Sequence, residues 1–91
     1  MPVNGWNISR QAHREIKVVL RNHQNSKCAI CDKLIGDNGH LDHHHEKEYC
    51  RGVLCQSCNL GIGYFKDSMR LLSRAAIYVA FYEKMHKEYG I

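Results

Sequence analysis

Two Cys-x-x-Cys pairs, Cys28-Ala29-Ile30-Cys31 and Cys55-Gln56-Ser57-Cys58, constrain this chain more than any other feature. Two intervening residues let both thiolates of one turn reach a single ion at about 2.3 Å each, and two such turns complete a closed tetrahedral site. Twenty-three residues separate the pairs, close to the spacing of paired zinc knuckles. A chain of 91 residues buries a limited core, and domains of this size lean on disulfides or a metal. Disulfides and a redox dithiol are the alternatives here. A redox pair needs only one Cys-x-x-Cys and a βαβ context, which this pattern lacks. The residues from Met1 to Trp6 have neither the charged nor the apolar block of a signal peptide. A reducing cytoplasm is therefore the expected compartment, and paired disulfides are disfavoured there. We expect Cys28, Cys31, Cys55 and Cys58 to hold one structural zinc. Four thiolates leave that ion no open position for chemistry. Cys50, the odd cysteine, reads as a small buried hydrophobe on a strand.

Around the cysteines the chain reads as one small α+β domain spanning residues 1–91, without linker or repeat. Asn7 or Ser9 can cap a first helix. Ala12, Ile16, Val19, Leu20 and His23 then share one face, and Arg10, Arg14, Lys17 and Arg21 line the other. The segment Asn22 to Ser26 is rich in turn formers. From Lys27 to Leu54 we expect turns and a hairpin. Its strands are Leu41 to His45 and Tyr49 to Leu54, with the polar tip Glu46-Lys47-Glu48 between them and Gly52 weakening the second. A short helix should follow from about Cys58 to Phe65, despite Gly61 and Gly63. Asp67 or Ser68 can cap a long last helix, with Gly90 closing it. Leu72, Ala75, Val79, Tyr82, His86 and Tyr89 form its apolar stripe, and we expect Leu72, Val79 and Tyr82 mostly in the intrachain core. Leu71, Tyr78, Phe81 and Met85 widen the stripe enough for a second subunit to cover part of it.

Charge is uneven along this sequence. Residues 1–27 carry five bases against one acid, residues 28–58 three against five, and residues 59–91 five against three. An acidic centre between basic flanks suits a cation site beside a polyanion, although solvated helix faces would look the same. No apolar run approaches the ~20 residues of a membrane span.

What separates this chain from a plain zinc module is the cluster Asp42, His43, His44, His45 within the gap, and Asn59 directly after the last cysteine. A carboxylate and an amide oxygen suit Mg²⁺ or a similar ion that keeps several waters and recruits a phosphate. A neighbouring neutral histidine, with an unperturbed pKa of about 6.5, can take the proton of an attacking water. One cation and one base suffice for phosphodiester hydrolysis. A surface histidine run, or Asn59 as a helix cap, would be the simpler reading of the same residues.

The stretch Cys28-x-x-Cys31, His40-Leu41-Asp42-His43-His44-His45-Glu46, Arg51-Gly52-Val53-Leu54-Cys55-x-x-Cys58-Asn59 resembles the recombination endonuclease VII family. That family belongs to the His-Me finger (ββα-metal, HNH-like) nucleases of bacteriophages and bacteria. The matching motifs run from about Cys28 to Phe65. The resemblance implies that Asp42 and Asn59 hold the catalytic Mg²⁺ or Mn²⁺ and that His43 is the general base. It implies that His45 helps hold the phosphate or the water, and that the four cysteines bind zinc. His44 stands where the family often has an acidic residue or cysteine. Ile62 stands where the phage resolvase type has a glutamate, and the chain ends soon after one long helix.

The expected architecture is an N-terminal helix, a zinc-stapled ββα finger and a long C-terminal helix. The expected activity is hydrolysis of DNA by a monomer that nicks one strand per encounter. Arg10, Arg14, Lys17, Arg21 and Arg51 would contact DNA. A homodimer that resolves junctions or cuts both strands is the alternative, and a non-catalytic zinc-knuckle binding module is the alternative of another class. One geometric difficulty attends the site. In a regular strand Asp42 and His43 point to opposite faces, so the strand should be irregular there or begin near His43.

Overall fold

A computed structural model of the chain describes residues 9–44 and 49–91. The order is α1 (Arg10–His23), β1 (His40–His43), β2 (Cys50–Leu54), α2 (Gln56–Tyr64) and α3 (Met69–Tyr89). This is the small α+β fold expected. The chain's contacts gather into two compact units, residues 1–60 and 61–91.

In the first unit, Ser9 caps α1, its Oγ accepting from the Ala12 N–H at 3.0 Å. Such a cap contributes about 1 kcal/mol; Asn7, the other candidate, lies outside the described residues. Helix α1 ends where Asn25 and Ser26 take left-handed backbone angles, φ 55° and 56°, a conformation asparagine tolerates. The apolar face of α1 is only half-buried at Ala12, Ile16 and Leu20, while Val19 and His23 are exposed. Periodicity found the right face but overstated its depth.

The core of this unit is Cys28, Ile35, Leu41, Val53, Leu54 and Cys55. Strands β1 and β2 pair antiparallel, with His40 opposite Leu54, Leu41 opposite Val53, and His43 opposite Cys50. The register slips between Leu41 and His43, so Arg51 and Gly52 together oppose Asp42, the arrangement of a β-bulge. The irregularity foreseen at Asp42 is therefore present, but the extra residue lies on β2.

Gln24 ties α1 to the outer edge of β2. Its Nε2 donates to the Val53 and Lys27 carbonyls at 2.9 and 2.8 Å, and its Oε1 accepts from the Val53 N–H at 2.8 Å. Val53 is 0% exposed, and while its carbonyl also accepts from the Ala29 N–H at 3.2 Å, its N–H would without Gln24 be buried unpaired, at about 1–3 kcal/mol. Gly52 suits this contact, since a Cβ there would stand 3.0 Å from Gln24 Oε1 and 3.3 Å from the Ala29 Cβ.

The second unit is mainly α3. Ser68 caps it through an Oγ contact to the Leu71 N–H at 3.1 Å, and Gly90 closes it at φ 70°, where a residue with a Cβ would be strained. No α3 residue is buried. Leu72 and Ala75 are half-buried, but Val79 and Tyr82 are 55% and 53% exposed. The expectation of an intrachain core for this stripe is corrected in that respect. A unit made of little more than one helix has no second layer to cover it. Among the described residues no helix is long and apolar enough to cross a membrane.

Candidate metal centre and its polar neighbours

The four cysteines meet as expected. Cys28 and Cys31 lie in a tight turn closed by a Cys28 N–H bond to the Lys33 carbonyl at 2.7 Å and an Asp32 N–H bond to the Cys28 carbonyl at 3.1 Å. Cys55 is the single residue between β2 and α2, and Cys58 sits in the first turn of α2. All four Sγ atoms lie within 4.8 Å of one another, with Cys31 and Cys55 3.8 Å apart. Zinc–sulfur bonds of about 2.3 Å at tetrahedral angles put sulfurs about 3.8 Å apart, so the cluster is positioned for a zinc site. A disulfide requires about 2.05 Å, and none joins any of the five cysteines.

The thiols differ in their proton affinity. Burial raises the Cys28 thiol, but the backbone amides of Cys31, Cys55 and Ile30 outweigh it and bring the group down to about 6. Cys58 is pushed up to about 12, first by burial and then by neighbouring thiols. One sulfur held as thiolate among crowded partners is the electrostatic pattern a cation relieves. Burial also raises Cys50, which is half-buried, as a packing residue would be.

Asp42 and His43 stand next to each other where the register slips. The Asp42 side chain is 12% exposed and is held by Arg51, whose Nε donates to Oδ2 at 2.6 Å. The same guanidinium donates through Nη2 to the His43 carbonyl at 3.3 Å. Arg51, expected on DNA, thus spans both candidate residues from across the sheet. The pairing of His43 with Cys50 brings Arg51 beside Asp42. Asn59 follows Cys58 in the first turn of α2, half-buried, its N–H bonded to the Cys55 carbonyl at 3.0 Å. The donor chemistry of Asp42 and Asn59, carboxylate and amide oxygen, fits a hard divalent ion. His44 stacks on Tyr49 at 5.1 Å and donates its N–H to the Tyr49 carbonyl at 2.9 Å. His45 lies outside the described residues.

The basic face of α1 is divided. Arg10 and Arg14 are exposed, whereas Arg21 Nη1 contacts Asp37 Oδ1 at 2.8 Å and Lys17 Nζ donates to the Asp37 carbonyl. The Arg21 hydrogen bond and charge hold the Asp37 carboxyl below the usual carboxylate range. The other feature that sequence reasoning missed is Gln24, a turn residue whose role depends on a strand 29 positions away.

No curated protein matches the chain closely enough to count as a relative. The family model for recombination endonuclease VII matches residues 4–81 of the 91, well beyond the motif core at Cys28 to Phe65 and taking in α1 and most of α3. Enclosing both knuckles, the Asp42-His43 pair and Asn59 in a single match, it shows that the chain belongs to the recombination endonuclease VII family, a family of nucleases.

Proposed function

We propose that this chain is a divalent-metal-dependent DNA endonuclease of the His-Me finger type, working in the cytoplasm. One observation carries the reading: Asp42 and His43 are neighbours at a bulged pairing, in a chain of a nuclease family that also gathers four cysteines into a zinc-type cluster. His43 is the general base, its neutral imidazole taking a proton from the attacking water. Asp42 and Asn59 would hold Mg²⁺ or Mn²⁺, which when bound polarises the phosphoryl group and steadies the leaving 3′ oxygen. The product then carries a 5′-phosphate. His45 is assigned to steadying the phosphate or the water, and Arg10, Arg14, Lys17 and Arg21 to the DNA backbone. The cysteine-bound zinc is structural and takes no part in the chemistry.

Supercoiled plasmid incubated with the protein should be cut only when Mg²⁺ or Mn²⁺ is present. His43→Ala should lose about 10²–10⁴ in rate while zinc content and DNA affinity stay unchanged. Binding without cleavage under every ion would replace the enzyme with a zinc-knuckle binding module.

A single chain has one such site and nicks one strand per encounter, which is the reading proposed first. One observation favours a second reading. Arg74, Ile77, Tyr78, Phe81 and Tyr82 line an open apolar groove on α3, a face that a second copy would cover, so paired cuts by a dimer are the alternative. Light scattering beside the plasmid assay separates them, a dimer giving linear product from the first turnovers.

A further inference from the structure

Arg51 is bonded to a carboxylate that the proposed reaction needs for a cation. The Asp42 carboxylate is largely withdrawn from water, and a charge so placed requires a partner. Arg51 supplies it, from the bulged segment of β2, with its Nε on Oδ2 at 2.6 Å and its Nη2 on the neighbouring His43 carbonyl at 3.3 Å. A divalent ion on Asp42 would compete with the guanidinium for the same negative charge. A DNA phosphate arriving at that ion offers the guanidinium another anion, one that its planar fork fits well. The Arg51 side chain retains partial exposure, 27% against 12% for Asp42, so it is the solvent-facing member of the pair.

We propose that Arg51 exchanges partners, holding Asp42 in the free protein and a backbone phosphate in the complex, and thereby makes cation binding and DNA binding depend on each other. This rests on the reading of Asp42 as a cation ligand. Coupling between two ligands is reciprocal: whatever DNA adds to the ion's affinity, the ion adds to that of DNA. Arg51 is in this sense a positioning residue that sets the order of assembly. It keeps the site closed to stray divalent ions until a polyanion is present.

The experiment uses the zinc-loaded chain in a His43→Ala background, so that DNA stays intact, and measures Mn²⁺ binding by calorimetry with and without a short duplex. The duplex should tighten Mn²⁺ about tenfold, within the usual range of coupling. Arg51→Gln should bind Mn²⁺ about tenfold more tightly than its parent without DNA, consistent with release of a competing charge, and should lose most of the gain from the duplex. Arg51→Lys, which keeps the charge, should keep the weak DNA-free binding. Should Arg51→Gln fail to fold, the parent and Arg51→Lys titrations still decide. A parent in which DNA leaves Mn²⁺ affinity unchanged overturns the exchange, as does an Arg51→Gln protein that binds Mn²⁺ no better or worse. Asp42→Asn distinguishes the two levels: loss of Mn²⁺ binding there with no Arg51 effect refutes the exchange alone. Undiminished Mn²⁺ binding by Asp42→Asn refutes the cation site and the exchange together.

Discussion

The residues up to Leu60 and the residues after it solve the same problem in opposite ways. Among its described residues the first unit has six buried apolar ones, and two of them, Cys28 and Cys55, belong to the thiol cluster. Its strands are only four and five residues long, too short to stand alone as a hairpin in water. The Gln24 strut and a few side chains hold it together, and a metal on the four clustered cysteines would add a cross-link to them. The second unit has a 21-residue helix capped at both ends and no buried residue in it. Local backbone bonds hold that helix together, and its apolar face is spent on nothing within the unit. Cross-linking by a metal can substitute for core volume, whereas a good helix cannot create a core by itself.

Removing the metal should break this contrast most severely. Zinc knuckles gain roughly 10 kcal/mol or more from their ion, which is comparable to the total stability of a small domain, about 5–15 kcal/mol. Cys28→Ser should abolish the cooperative thermal transition of the first unit and lower bound zinc below one per chain. Part of the far-UV helix signal should persist, because α3 contributes no cysteine. An unchanged transition in a zinc-free preparation would show that the core suffices alone.

A smaller effect sharpens the comparison by trimming one apolar residue in each unit. Leu41, 6% exposed, should cost about 2–5 kcal/mol on change to alanine. Val79, 55% exposed on α3, should change stability by no more than about 0.5 kcal/mol. Denaturant midpoints of Leu41→Ala and Val79→Ala, taken at micromolar concentration, check this. A large loss at Val79 would mean that a second molecule covers α3 at that concentration.

The smallest effect concerns Asp37. Its carboxyl is held low by Arg21, so the pair's contribution is complete above the ordinary carboxylate pKa and fades as pH falls through the lowered folded one. Arg21→Gln should therefore move the Asp37 titration upward, read by NMR, with little change in stability at neutral pH. Asp37 is fully exposed, and screening keeps such pairs weak. A titration unmoved by Arg21→Gln would show that the contact does not persist in solution.

Much of the fold was legible because local chemistry decides it. The Cys-x-x-Cys turns, the Ser9 and Ser68 caps, the Gly90 terminator and the hairpin all follow from residue types at short spacing. Helix α2 begins at Gln56 rather than near Cys58, since the second knuckle is itself the helix's first turn. The burial of α3 was not legible: periodicity tells which residues share a face, and nothing local tells whether another layer exists to meet it. At the candidate site, the Asp42-His43 adjacency and the irregular pairing were foreseeable. The Arg51 bond to Asp42 was not, because basic residues read as DNA contacts until a cross-strand register gives them a nearer anion. Gln24 escaped for the same reason, since its amide acts on backbone 29 residues away.

The lone residue between β2 and α2 limits how such a chain can drift in length. Cys55 leaves no slack, so one amino acid inserted after Leu54 would turn every later helical side chain by about 100°. Inserted within β2 it would throw the following strand residues onto the other face. Either change would pull Cys58 and Asn59 out of phase with everything before them. Length variation should instead collect at turns such as Asp37-Asn38, leaving the count from Arg51 to Asn59 as the part of the chain that behaves like a ruler.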